Sequence, residues 1–317
     1  MKKIIAVILA ITMIAAMFTG CGSKADDGVT KVAIVQQLDH SSLDEIRTAI
    51  EAELTAAGIE FKSFNGQNDA STLNQIGAQV VSDDFDAIIP IATLAAQCMV
   101  TAADGTDIPI IYAAISDPVG AGLVDMPKVT GVSDALNTAF ILDMMFAVNP
   151  DIKTVGLLYS NSEVNSATPI AEAKAYLEEK GIEYLEKTGN TTDEVVTAAS
   201  SLVGRCDAVF TPTDNVVMAA EGAVAEILNG AGIAHYAGAD SFVTSGAFAT
   251  CGVNYTELGA YTAKMALDIL GGGEVPEFHV MDGGIITVNT ETAAALALDY
   301  SAFASMANTV VEVTTGK

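Results

Sequence analysis

The chain alternates between two kinds of segment. Short apolar runs rich in branched residues, such as Lys31-Val32-Ala33-Ile34-Val35 and Lys153-Thr154-Val155-Gly156-Leu157-Leu158-Tyr159, read as buried strands. Amphipathic stretches follow them, Leu43 to Ala57 and Pro169 to Lys180, and read as helices. Each helix stops at a glycine, in Ala57-Gly58-Ile59-Glu60-Phe61 and Lys180-Gly181-Ile182-Glu183-Tyr184. Glycine suits that position because it accepts positive φ. Val32 to Val155 and Gly58 to Gly181 are both 123 positions, so the second stretch is a copy of the first in register. The copies continue: Phe85-Asp86-Ala87-Ile88-Ile89 matches Cys206-Asp207-Ala208-Val209-Phe210, and Ile108-Pro109-Ile110-Ile111-Tyr112 matches Ile233-Ala234-His235-Tyr236. Helical stretches lie between them, Leu73 to Val81 against Val195 to Leu202 and Ala95 to Ala103 against Val216 to Leu228. Strand–helix alternation predicts parallel sheets covered on both faces. At 317 residues the chain exceeds the size at which single cores divide, about 250–300 residues. The expectation is an α/β protein of two doubly wound parallel-sheet lobes.

The N-terminus has a different pattern. Lys2 and Lys3 precede an apolar run from Ile4 to Phe18, which ends in Phe18-Thr19-Gly20-Cys21. That order reads as a secretory signal over residues 1–20. The run is shorter than the ~20 residues of a spanning helix. The closing tetrapeptide resembles a bacterial lipobox, with Phe18 where leucine is usual. The resemblance implies cleavage before Cys21 and acylation of its thiol, hence export and a lipid anchor on the outer face of the bacterial cytoplasmic membrane. Residues 21–29 then form a flexible tether.

The formal charge is −26, and −28 once residues 1–20, with two Lys and no acid, are removed. So acidic a surface argues against nucleic acid and anionic lipid as partners. Cys98, Cys206 and Cys251 are odd in number and make no metal pattern; Cys98 and Cys206 read as core residues. His40, His235 and His279 lack ligand spacing. No cofactor or metal is expected. Gly120-Ala121-Gly122 lacks the third glycine of a dinucleotide loop and reads as a turn, and Gly271-Gly272-Gly273 reads as the end of a helix. Met144 and Met145 fall in a helical apolar run and read as core.

Open α/β sheets bind ligands beyond the carboxyl ends of their strands. Six such ends here are polar: Gln36 to Ser42, Ala92 to Gln97, Ala114 to Pro118, Ser160 to Ser166, Thr213 to Asn215 and Gly238 to Ser241. Ser42, Thr93 and Asp214 also suit helix N-caps. The candidate ligand-binding residues are Gln37, Asp39, Thr93, Gln97, Ser116, Asp117, Asn161, Glu163, Asn165, Asp214, Asn215 and Asp240. Acids, amides and hydroxyls with few Lys or Arg suit a neutral or zwitterionic ligand with an ammonium, and disfavour a phosphorylated one. Thr93, Gln97 and the Ser116 loop are expected at the ligand carboxylate, where a helix begins. Asp214 is the first choice for the ammonium, with Glu163 and Asp240 behind it.

Four segments carry a resemblance to a family: Asp39-His40-Ser41-Ser42-Leu43-Asp44, Ile115 to Val124, Val129 to Asp134, and Thr213-Asp214-Asn215. They are similar to the ABC-transporter substrate-binding proteins related to tryptophan- and tyrosine-binding lipoproteins, over about Val32 to Thr287. The resemblance implies a type I periplasmic-binding-protein fold with three crossovers, near Val132 to Asp134, Thr250 to Tyr255 and Met281 to Ile285. Lobe 1 would be residues 30–132 with 254–280, and lobe 2 residues 133–253 with 281–317. It further implies an amino-acid-like ligand, often aromatic, and a permease and ATPase as membrane partners of a monomeric binder. Two other functions suit the same architecture: a sensor that presents ligand occupancy to a membrane receptor, and an enzyme, since fold does not fix function. Stabilisation by ligand without turnover separates a binder from an enzyme. Neighbouring genes for a permease and an ATPase separate an importer from a sensor.

Overall fold

The computed structural model describes residues 29–316. The signal, Cys21 and most of the tether lie outside the described residues. From Lys31 onward the chain is one compact unit built on two sheets.

The first sheet contains β1 (Lys31–Gln36), β2 (Glu60–Asn65), β3 (Ala87–Ile91), β4 (Ile110–Ala113), β5 (Val129–Ser133) and β11 (His279–Val280), in the order β11-β5-β4-β3-β1-β2. All of its pairs are parallel. The second contains β6 (Thr154–Tyr159), β7 (Glu183–Thr188), β8 (Ala208–Thr211), β9 (Ala234–Ala237), β10 (Ala249–Gly252), β12 (Ile285–Asn289) and β13 (Thr309–Val313), in the order β13-β12-β10-β9-β8-β6-β7. Only β10 and β12 pair antiparallel. Central strands such as β1 and β3 are buried on both faces, which is why they read as unbroken apolar runs.

The internal repeat is visible in the coordinates. β1 begins at residue 31 and β6 at 154, β2 at 60 and β7 at 183, the same 123-residue offset. Even the strand entrances match: Asp86 accepts from the Lys31 N–H at 2.7 Å, and Asp207 from the Thr154 N–H at 2.9 Å. The helices are α1 (Ser41–Ala56), α2 (Ala70–Ser82), α3 (Thr93–Ala102) and α4 (Thr138–Val148), then α5 (Ala167–Lys180), α6 (Thr192–Leu202) and α7 (Asn215–Gly230). After them come α8 (Asp240–Thr244), α9 (Tyr255–Leu270), α10 (Thr290–Ala295) and α11 (Phe303–Met306). Gly58, just past α1, and Gly181, just past α5, have φ of 72° and 70°, the left-handed turn that ends each helix. Met144 and Met145 are buried in α4, and the three described cysteines are buried and unpaired.

The chain crosses between the sheets three times: after β5, after β10, and between β11 and β12. The second crossing sends α9 back to the first sheet, where it packs along α1. Gly259 permits that contact, because a Cβ there would lie 2.5 Å from the Ile46 carbonyl and 2.8 Å from Ala49 Cβ. Gly259→Ala is therefore expected to cost about 2 kcal/mol by overpacking. Chemical denaturation of the ligand-free protein checks this; an unchanged midpoint would show that the two helices part freely.

Candidate functional site

The carboxyl ends of β1, β3 and β4 face those of β6, β8 and β9 across a narrow cleft. It is nearly shut, with about 30 Å³ of free volume, far below the about 300–1,000 Å³ of ligand pockets. A larger hollow of about 570 Å³ lies beside the three crossings. Asp134 and Tyr255 line both spaces, but the cleft is the one reached by the loops after β1, β3, β4, β6, β8 and β9.

The backbone is strained where it enters the cleft. Ala92 has φ 74° and ψ 163°, a conformation almost restricted to glycine, and Ala114 has φ 56°. Such conformations cost about 1–3 kcal/mol each and persist where the surroundings enforce them. Ala92 stands at the N-cap position of α3 and supplies no side-chain cap for its first N–H groups. One of them, the Leu94 N–H, donates to Gln37 Oε1 at 3.0 Å.

Side-chain hydrogen bonds join the two sides. Gln37 Nε2 donates to Glu163 Oε1 at 3.2 Å, and Ser42 Oγ to Asp240 Oδ1 at 3.1 Å. Thr168 Oγ1 donates to Asp117 Oδ2 at 2.6 Å, and His40 Nε2 lies 3.2 Å from Asn215 Oδ1. Thr213 Oγ1 is 2.8 Å from Ser116 Oγ, which in turn donates to Asp134 Oδ1 at 2.9 Å. Tyr255 donates to the other oxygen of Asp134 at 3.3 Å.

The cleft is rich in carboxylates and lacks cations. Glu163 and Asp214 are buried, as is Asp134, and among the described residues no Lys or Arg lines the space. Burial, then the charge of Asp214, pushes the Glu163 carboxyl up to about 7. Burial also raises Asp134 and Asp240, and it lowers His40, which keeps that ring neutral. Three buried polar atoms on the cleft wall have no protein partner: His40 Nδ1, Asn165 Oδ1 and Ser241 Oγ. Leu43, Met218 and Phe242 add an apolar wall.

The residues named from sequence separate into groups. Thr93, Ser116, Asn165, Asp214 and Asn215 line the cleft, and Gln37, Glu163 and Asp240 bond to its lining residues or bridge the two sides. Asp117 also bridges the sides, but its other oxygen closes the turn at the Gly120 N–H. Gln97 points away and donates to the Ala121 carbonyl, Asn161 is exposed, and exposed Asp39 accepts from Gln36. Asp214 is a helix cap: its oxygens accept from the Val217 N–H at 2.9 Å, the Ser160 N–H at 2.6 Å and Ser166 Oγ at 2.7 Å. Those bonds commit the carboxylate to holding loop 160–166 against α7, so Glu163, beside it, is the better-placed acid.

His40, Ser42, Thr213 and Ser241 belong to strand-end loops yet were outside the candidate set; the same positional rule reaches them. Asp134 directly follows β5 and Tyr255 lies three residues past β10, so the rule reaches them too, although both strands lead into crossings between the sheets.

The sequence profile of the ABC transporter substrate binding protein family matches residues 31–310. This chain belongs to that family. The tyrosine-binding protein of Clostridioides difficile (strain R20291) is 34% identical over 320 residues, covering 93% of this chain and 92% of that protein. A solved ABC domain in complex with L-Trp from Streptococcus pneumonia is 29% identical, covers 89% of this chain and 100% of its own, and has a TM-score of 0.83. The ligand-free, open structure of a substrate-binding protein with adhesive properties from Clostridium difficile is 34% identical, covers 90% and 100%, and has a TM-score of 0.69. Thus the substrate-binding protein described here superposes better on the ligand-bound relative than on the open one, despite lower identity. At 16% and 18% identity, an ABC sugar transporter subunit from Rhodobacter sphaeroides and an ABC transporter periplasmic solute binding protein from Actinobacillus succinogenes with bound D-allose share the type I periplasmic-binding-protein fold, each with a TM-score of 0.64.

Proposed function

We propose that this substrate-binding protein is the lipid-anchored solute receptor of an ABC importer and clamps an aromatic amino acid as its zwitterion. The observation that carries the reading is buried Glu163, bonded from both sides of a cleft that no Lys or Arg lines. A buried carboxylate set of this kind is compensated by a ligand ammonium. The N-terminus of α3, with Thr93 and the Ser116 loop, takes the ligand carboxylate. Leu43, Met218 and Phe242 take the ring. The names of the relatives, one tyrosine-binding and one solved with L-Trp, support the aromatic class.

Capture works by closure. Residues 30–132 with 254–280 form one lobe and residues 133–253 with 281–317 the other, and ligand contacts to both hold them together. The closer superposition on the L-Trp-bound relative supports a closed form. Cys21 anchors the receptor to the outer face of the bacterial cytoplasmic membrane, where a permease and ATPase accept its ligand, and the receptor acts as a monomer. None of this requires bond chemistry.

A thermal-shift panel of amino acids, sugars and nucleotides tests the reading. Tyrosine, tryptophan or both should raise the melting temperature, and sugar phosphates and nucleotides should not; the reverse pattern would overturn it.

Proton release gives a second test. A carboxyl raised above its ordinary value is protonated in the closed, empty cleft below pH about 7, and its burial penalty grows as pH rises through that value. A ligand ammonium restores the ionised form, so binding releases a proton between about pH 7 and pH 4.5. Affinity should fall as pH drops through that window and level off above it. Calorimetric titration in buffers of different ionisation enthalpy reads the proton count; no release near pH 6 would remove Glu163 from the ammonium site.

A further inference from the structure

The hydrogen bonds of the cleft run in a chain whose direction is fixed at one end, and a finer statement about ligand choice, resting on the proposed function, follows from it. The Leu94 N–H can only donate, so Gln37 presents Oε1 to it and turns Nε2 toward Glu163. Asn215 Nδ2 donates to the second oxygen of Glu163 at 2.7 Å, which leaves Asn215 Oδ1 facing His40 Nε2 at 3.2 Å. An amide oxygen only accepts, so with Glu163 ionised Nε2 carries the imidazole proton. A neutral imidazole has one such proton, and burial keeps His40 neutral. Nδ1 is therefore a bare acceptor, buried, without a protein partner, on the wall of the cleft.

Its surroundings indicate which ligand group it meets. Leu43 lies one turn beyond His40 on α1, and Met218 one turn beyond Asn215 on α7. Both line the cleft with Phe242, so the acceptor borders the apolar wall. We propose that His40 is a specificity-determining residue: its Nδ1 accepts a hydrogen bond from a ring donor of the ligand, a phenol O–H or an indole N–H. An aromatic amino acid without such a donor buries this acceptor unpaired and binds more weakly.

The test compares matched ligands on the intact protein at about pH 8, where Glu163 is ionised. Calorimetric titration with tyrosine against phenylalanine, and with tryptophan against its benzothiophene isostere, should show a preference of about tenfold or more for the donor-bearing member of at least one pair. His40→Leu should bring both pairs within about twofold, whatever it does to overall affinity. A wild-type ratio near one, or a ratio that survives His40→Leu, overturns the proposal. Nitrogen-15 spectra of the wild-type imidazole provide a second reading: the Nε2–H tautomer supports the proposal and the Nδ1–H tautomer overturns it. Should no aromatic amino acid bind while another ligand class does, the proposed function fails and this inference falls with it.

Discussion

Replacing Glu163 by Gln should weaken capture of an aromatic amino acid about 100- to 1,000-fold. Removing one member of a buried charged pair costs about 3–5 kcal/mol, and each 1.4 kcal/mol is about tenfold in affinity. The loss reflects an ammonium left without its counter-charge in a cleft lined by no Lys or Arg. The empty protein should melt within a few degrees of wild type, because two opposed effects nearly offset. Losing the charge removes a repulsion with Asp214, while the new amide NH2 meets Gln37 Nε2 or Asn215 Nδ2 and leaves one of them without its acceptor. Titration calorimetry and melting of the ligand-free variant are read together. Affinity within about threefold of wild type would move the ammonium to Asp134 or Asp240.

Asp214→Ala is expected to have the opposite signature. Three donors lose their acceptor at once: the N–H groups of Ser160 and Val217 and the hydroxyl of Ser166. Loss of a helix cap alone costs about 1 kcal/mol, and each buried donor left unpaired adds about 1 kcal/mol or more. A total of about 3 kcal/mol lowers Tm by roughly 4–6 °C in a chain of this size. Affinity measured well below that Tm should stay within about threefold, because α7 and loop 160–166 retain their places on either side of the variant site. An unchanged Tm with a tenfold loss of affinity would return Asp214 to the ligand site.

Asp214 also shows where sequence reading runs out. An Asp that ends a strand and opens a helix looks the same whether it caps the helix or meets a ligand. The difference lies in donors at positions 160 and 166, brought in by another strand. Glu163 is the reverse case. It sits in that same loop, and only the approach of Gln37 from the opposite side marks it as a group between the two sheets. The architecture was far easier to read. A 123-residue repeat of strand, helix and glycine stop is a local pattern, and it set the places of β1, β2, β6 and β7 without reference to any long-range contact. Gln97 and Asn161 had the right position along the chain but point elsewhere, one to the Ala121 carbonyl and one to solvent, which periodicity cannot specify. Asp134 was legible as the end of β5 and part of a crossing, but its bonds to Ser116 and Tyr255 depend on the folded hinge.

The central claim is that the cleft clamps an amino acid by its ammonium. Titration calorimetry with L-tyrosine beside 3-(4-hydroxyphenyl)propanoate, which differs by the missing ammonium, tests it most directly. The account predicts one-to-one binding of tyrosine and about 100-fold or weaker binding of the des-amino acid. Equal affinity for the two, or binding of the des-amino acid alone, would contradict it.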